Sequence, residues 1–466
     1  MPQEPGHPSR GVWNRGFTSR RRLLGAGAAM VSGTVLVACG GHRAGNGHQG
    51  SRSAALPSTS FSGITLTLTP NVGQVPFNST LVRLLEQAVQ PFLAVTPGVR
   101  VRFLPGPSTR TLVAENLAGT APDISGGPPA PLLAADAALD LTSYVRRDNV
   151  DLAAFGAGRL SVWQYRGGLY ALPSDNNAYG MIINLTELNQ RGLTAPPKNW
   201  TSVEAARLFS AATHTDPQTG RVVAGGAVMC YREGVPMPES FYLYGFGAAY
   251  ASPDDPAICT LGTSQAIEAG NWVYSQLVNG TATNIRSCFP QNLAAGSTMC
   301  DGFGLCAMIQ TAQQLRGFEW DFWPMPTFPK GLFTHAGSDG YIILSQTKHP
   351  EQAWELLKWM TTEPDWQEFT MKTSLLAPFS LNLWDQYVTV VGQVAPPMAT
   401  KDLGVLRDMG TFVLDSNFKY AIPQTLSIMG NVGSQLLTGK LSVDKGFPLI
   451  ADQINAVETA QGTASA

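Results

Sequence analysis

Six histidines and six cysteines are the chain's stock of metal ligands and strong nucleophiles, and their spacing supports neither use. His7, His42 and His48 lie near the N-terminus, while His214, His335 and His349 stand far apart with no i, i+4 pair. No H-E-x-x-H, G-x-S-x-G, phosphate-cradling G-x-x-x-x-G-K or calcium loop occurs. No C-x-x-C pair occurs, so zinc and dithiol motifs are absent. No catalytic residue, metal ligand set or cofactor is therefore expected. Carboxylates leave one enzymatic reading open, because two acids about 5–10 Å apart suffice for glycoside hydrolysis and spacing alone does not reveal them.

The elements that would position any such groups belong to a chain of 466 residues, long enough for two or three domains. Hydrophobic residues make up 44% and charged ones only 14%, a balance that excludes intrinsic disorder. Thirty-one basic against 33 acidic residues leave no surplus to neutralise phosphates, which argues against a nucleic-acid partner.

The first 38 residues read as a signal peptide. Ser19-Arg20-Arg21-Arg22 precedes an uncharged run from Leu23 to Ala38, shorter than the about 20 residues of a membrane span. The run ends in Leu36-Val37-Ala38-Cys39-Gly40, which resembles a bacterial lipobox, and the arginine run resembles a twin-arginine export signal. Lipidation of Cys39 is expected, with acyl chains holding the protein to the outer face of a membrane. An ordinary Sec signal is the alternative. Without residues 1–38 the chain keeps 26 basic and 32 acidic residues, a net charge of −6. Residues 39–62, rich in Gly, Ser, Ala and His, read as a flexible tether. Cys230, Cys259, Cys288, Cys300 and Cys306 follow, an odd number, so one thiol at least stays free; one bridge among Cys288, Cys300 and Cys306 is expected.

Ile64-Thr65-Leu66-Thr67-Leu68 alternates as a strand, and Leu81, Leu84, Leu85, Ala88 and Phe92 follow helical spacing. Val99, Val101 and Phe103 alternate again, completing the start of a parallel α/β sheet. Further strands are predicted at Met181–Asn184, Val222–Ala227 and Tyr341–Leu344. Thr201 to Glu204 forms a capping box, Ala266, Ala269, Val273 and Leu277 share a helix face, and Pro350 opens a helix with Ala353, Leu356, Leu357 and Met360 inward. From about Trp384 the chain reads as helical.

Several segments in order resemble bacterial extracellular solute-binding proteins of family 1, the sugar receptors of ABC importers. They are Ala118 to Ile124 ("AGTAPDI"), Arg166 to Pro173 ("RGGLYALP"), Ile182-Ile183-Asn184 with Gly192 to Trp200, Leu305 to Met308 followed by Trp323 to Pro326, His349 to Trp359, and Leu437 to Ser442 with Ile454-Asn455. The likeness spans about residues 61–457. Pro448 and Gly446 depart from it in the last helix, where a continuous helix is usual. The resemblance implies an α/β fold of the periplasmic-binding-protein type II kind, with two lobes joined by crossing hinge segments. Lobe one takes 61–177 and 334–377; lobe two takes 178–333 and 378–460. It implies a monomer that binds a small solute, a sugar or oligosaccharide, and hands it unchanged to permease and ATPase subunits. A non-sugar solute (a polyamine, a glycerol phosphate derivative or a metal chelate) and a secreted carbohydrate-active enzyme are the alternatives.

A sugar cleft needs aromatic faces for C–H surfaces and amides or carboxylates for hydroxyls. By the resemblance, Asn71 and Gln74 follow the first strand in the first binding loop. Asp175, Asn176 and Asn177 lie at the first crossing, with Asn177 in the position of a family contact. Glu239, Phe241 and Tyr244 stand where related receptors carry an acid and stacking rings. Gln310, Gln313 and Gln314 follow the "AM" strand, Ser338, Asp339 and Tyr341 lie at the second crossing, and Trp384 is a candidate stacking ring near the third. Trp320 and Trp323 read as sheet packing.

Overall fold

Threonine alternating with aliphatic residues favours an extended strand whose apolar face is buried. That strand is β1 (Ile64–Thr69), with Leu66 and Leu68 fully buried. The structure is a computed structural model. It describes residues 63–71, 75–126, 132–133, 135–155, 160, 163–165, 167–176, 180–230, 241–252, 258–285, 293, 299–301, 309, 312–335, 340–409, 413–414 and 423–464. The expected signal peptide, the lipidation candidate Cys39 and the tether up to Ser62 lie outside the described residues.

Asn78 caps α1 (Ser79–Ala88) by accepting the Leu81 N–H. The single helix expected through Phe92 is two. Pro91, which has no N–H to donate, sits in the first turn of α2 (Gln90–Val95), and Phe92 is buried from there. The chain continues through β2 (Val99–Phe103), β3 (Ile124–Gly126), α3 (Thr142–Asp148) and β4 (Ala171–Pro173). It then passes to a second sheet at β5 (Met181–Asn184).

The capping box at α4 (Ser202–Ala211) is present in full: Thr201 accepts the Glu204 N–H, and the Glu204 carboxylate accepts the Thr201 N–H. The strand expected at Val222–Ala227 is split. Val222–Ala224 pairs with His214–Thr215 in an exposed hairpin, and β6 (Ala227–Cys230) enters the sheet. Gly226 stands at the break, pressed so close to α4 that a Cβ there would lie 2.0 Å from the Phe209 carbonyl oxygen. Next come α5 (Phe241–Gly245), α6 (Ser264–Val278) with Ala266, Ala269 and Val273 buried, β7 (Ala282–Ile285), β8 (Met299–Asp301) and β9 (Trp320–Trp323). The chain returns to the first sheet at β10 (Gly340–Ile343). Helices follow: α7 (Pro350–Thr362), α8 (Pro364–Ser374), α9 (Trp384–Val394), α10 (Pro423–Leu437) and α11 (Val443–Ala464).

The expected interruption of the last helix does not occur. Pro448 lies inside α11, one turn from its start, where the N–H it lacks would have bonded a carbonyl of the first turn. Gly446 lets α11 approach α10, because a Cβ there would lie 2.6 Å from Leu436 Cδ2.

The first sheet has order β2-β1-β3-β10-β4 and the second β7-β6-β8-β5-β9. In each, four strands run one way and the fourth in the order runs against them: β10 in the first, β5 in the second. Those two are the strands reached by crossing from the other sheet. The first sheet shares one core with α1, α2, α7 and α8, including Phe92, Trp354 and Trp366. The second is packed on both faces. Met181 and Ile183 of β5 face a core with α4, α6 and α11, while Ile182 faces Trp320, Phe322, Trp384 and Tyr387.

Candidate functional site

Because the odd strand of each sheet is antiparallel, it begins where the others end. In the first sheet Gly340 pairs with Pro173 and Tyr341 with Gly126. In the second, Met181 pairs with Asp301 and with Trp323. The chain therefore leaves the first sheet after Pro173 at the carboxyl ends of its parallel strands and enters the second at Met181, again at the carboxyl ends of the parallel strands. Open α/β sheets bind ligands outside such strand ends.

Asn71 leaves β1 and donates its backbone N–H to the Tyr341 hydroxyl at 3.1 Å. Gly126, at the end of β3, permits this approach: a Cβ there would lie 2.8 Å from Asn71 Cβ. Beneath them the Thr69 and Ser125 hydroxyls are bonded at 2.6 Å and buried. Asp123 ties the same strands together. Its Oδ2 accepts the Thr67 N–H at 2.8 Å and the Thr67 hydroxyl at 2.7 Å, and its Oδ1 accepts the Thr347 hydroxyl at 2.5 Å. The Pro122-Asp123 segment is thus a strand clamp that sets the height of Ser125 and Gly126.

After Pro173 the chain buries three polar residues in succession, Ser174, Asp175 and Asn176. The Asn176 N–H donates to the Ala377 carbonyl at 3.0 Å, joining the first crossing to the segment between α8 and α9. That segment opens at Leu375, with a left-handed φ of 56°, and its carbonyl accepts the Tyr387 hydroxyl at 3.0 Å. The side chain of Asn176 is 1% exposed, yet neither its Oδ1 nor its Nδ2 has a hydrogen-bond partner among the described residues. The Ser174 hydroxyl is also buried without one. Unpaired buried polar atoms are rare in native proteins, so these make the first crossing stand out from the apolar core around it.

Asn71, Asp175 and Tyr341 are therefore gathered around the first sheet's strand ends. Asn176 carries the clearest signal there, although by sequence alone Asn177 ranks above it. Asn177, Gln74, Glu239, Gln310, Ser338 and Asp339 lie outside the described residues, as does the Phe241 side chain. Tyr244 is half-buried on α5, its ring 6.4 Å from that of Phe333. Gln313 is half-buried, its N–H donating to the Ile309 carbonyl. Trp384, expected as an open stacking ring, is instead 3% exposed and packed 5.1 Å from Tyr387 in the layer behind the second sheet. The reason is its place at the first turn of α9, whose apolar face turns inward. Trp320 is buried as sheet packing, and Trp323 lies under the Lys198 ammonium, 3.6 Å from the ring centroid.

Among the described residues no group of three or more His, Cys, Asp or Glu is placed to hold a metal. No described helix is long and apolar enough to cross a membrane. Cys259 is a free thiol whose pKa burial pushes up to about 11, and a bridge among Cys288, Cys300 and Cys306 lies outside the described side chains.

A family model described as bacterial extracellular solute-binding protein matches residues 87–385. The chain belongs to that family. Solved structures similar to this solute-binding protein include an ABC substrate-binding protein of Listeria monocytogenes in complex with cycloalternan, with a TM-score of 0.67 and 15% identity over 85% of this chain and 99% of that one. The sugar-binding protein MalE of Xanthomonas citri gives 0.67 and 16% over 86% and 98%. A cyclic alpha-maltosyl-1,6-maltose binding protein of Arthrobacter globiformis gives 0.64 and 17% over 85% and 98%. No curated protein matches in sequence. The shared fold is that of type II periplasmic binding proteins.

Proposed function

We propose that the chain is the receptor of an ABC importer, that it closes two lobes around a sugar or oligosaccharide, and that it delivers the sugar unchanged to a permease. The observation that carries this reading is the convergence of the strand ends of two sheets on the first crossing, where the buried Asn176 amide has no hydrogen-bond partner among the described residues. An amide offers one acceptor and two donors, a match for neighbouring hydroxyls, and Asn71, Asp175 and Tyr341 stand in the same region. The similar structures described as sugar receptors support a carbohydrate over other solutes. Lobe one would comprise 61–177 and 334–377, and lobe two 178–333 and 378–460. Closure would be hinge motion of the crossing segments, driven by tighter binding to the closed state. Diacylation at Cys39 would hold this monomeric receptor at the outer membrane face beside its permease.

The test is mass spectrometry of protein purified natively with its cargo. Small-angle scattering with and without the identified molecule, and product analysis after prolonged incubation, complete it. An intact sugar and a smaller radius of gyration in its presence are expected. A non-sugar cargo, no contraction, or conversion of the cargo into another compound would refute the reading.

A further inference from the structure

Among the described residues β9 ends the second sheet, and it is the most aromatic strand there: Trp320, Phe322 and Trp323 surround one acid, Asp321. In an antiparallel pair, alternate residues turn their backbone groups toward the partner strand. The Glu319 carbonyl accepts the Leu185 N–H from the end of β5, and Asp321 stands opposite Ile183. Asp321 and Trp323 therefore bond β5, while Trp320 and Phe322 turn their backbone groups outward. Such an edge, with free groups beside apolar side chains, is a template for a further strand.

Here side chains take the outward groups. The Lys401 ammonium donates to the Trp320 carbonyl and the Lys198 ammonium to the Phe322 carbonyl, each at 2.6 Å. The Phe322 N–H donates to Asp321 Oδ1, which also accepts the Asp402 N–H, both at 2.8 Å. Each lysine lies over an indole as well, Lys401 at 4.4 Å from the Trp320 centroid and Lys198 at 3.6 Å from that of Trp323. Asp402 pairs with Lys198 at 3.3 Å, and these two side chains, 46% and 42% exposed, form the wetted outer layer over the edge. Pro324 follows β9 and has no N–H to offer a neighbour. A charge thus stands at each of two successive positions where an incoming strand would bring an N–H. Pairing there would bury both ammoniums without their partners, which is costly.

We propose that Lys198 and Lys401, with Asp321, lock the outer edge of the second sheet against a second copy of this chain, whose β9 would otherwise pair with it antiparallel. Like edges meeting antiparallel are self-complementary about a two-fold axis, so one strand suffices for both sides of the contact. The lock acts on self-association and is independent of any cargo.

The test compares the full chain with the double variant Lys198→Met, Lys401→Met, in which each stem still covers its indole but the donors and charges are gone. Light scattering over a concentration series should show the methionine variant associating at least about tenfold more tightly than the native protein. Hydrogen exchange should show residues 318–325 becoming more protected as its concentration rises. Lys198→Arg, Lys401→Arg, which keeps donors and charge, should behave as the native chain does. Should the methionine pair fail to fold, Lys198→Met alone, a change at a half-exposed side chain, should show the same association in weaker form. A folded methionine variant with the native mass at every concentration, association without added protection at 318–325, or equal association of the arginine pair would overturn the proposal.

Discussion

Replacing Asn176 by leucine should stabilise the empty protein and impair its binding. The two side chains branch at the same carbon and are of similar size, so packing at the crossing changes little. The backbone bond from the Asn176 N–H to the Ala377 carbonyl does not involve the side chain and should persist. What changes is the polar burden. A buried amide without a partner costs about 1–3 kcal/mol, and here both polar atoms of the group are without a partner among the described residues. Allowing for imperfect fit of the leucine methyls, the net gain should be about 1–2 kcal/mol in cargo-free protein. Circular-dichroism melts and urea titrations at neutral pH would show it as a higher midpoint. Affinity for the natural cargo should fall about tenfold or more, since the ligand would then meet methyl groups. Asn176→Asp should melt lower than the native protein, because a carboxylate would be buried without a cation. The reasoning fails if the leucine variant melts below the native protein, for the amide is then satisfied in the empty state. It fails equally if that variant melts higher but binds its cargo unchanged.

Burial raises the Asp148 pKa, but hydrogen bonds from Arg147, Lys358 and Trp354 outweigh it and hold the carboxyl well below the usual range. Its contribution is thus complete above the ordinary carboxylate range and is lost as pH falls through the lower folded-state value. Melts from neutral pH down to about 3 should show the onset of that loss, and Asp148→Asn should cost about 1–3 kcal/mol at neutral pH while flattening the acid limb; an equally steep limb in the variant would contradict this. Gly126→Ala should displace Asn71, whose Cβ the new methyl would approach to 2.8 Å, lowering stability by about 1–3 kcal/mol and weakening cargo binding, as melts and titration would show. Cys259, with its thiol pushed up to about 11, should be about a thousandth ionised at pH 8, so iodoacetamide should label it slowly in native protein and rapidly in urea.

Features set by near neighbours in the chain are legible in the residue pattern alone. The capping box at Thr201, the inward face of α7 and the alternation of β1 all follow from contacts within a few residues. Phe92 shows the limit: its spacing fits the preceding helix, but Pro91 starts a new one. The split at Gly226 is hidden for a different reason, since the glycine is demanded by the Phe209 carbonyl, which the strand pattern does not contain. At the site, Asp175 and Tyr341 can be named from their place beside the crossings of the family pattern, whereas the special position of Asn176 depends on counting partners across the fold. Trp384 misleads because a tryptophan beside a crossing looks like a stacking ring until the inward face of α9 and its contact with Tyr387 are known.

The two sheets have the same strand order with the same strand reversed, and this repetition explains why the polar burden collects where it does. A strand that enters from the other sheet and runs against its neighbours starts at the edge where they finish, so β4 ends and β5 and β10 begin at the carboxyl-end edge of their sheets. Apolar side chains are spent on the faces, against α7 on one sheet and on both sides of β5 in the other. The edge is left with backbone ends and short polar residues, and the Asn176 side chain finds no described neighbour for its hydrogen bonds. A bound molecule that supplies them stabilises the protein in proportion to the logarithm of its concentration over Kd.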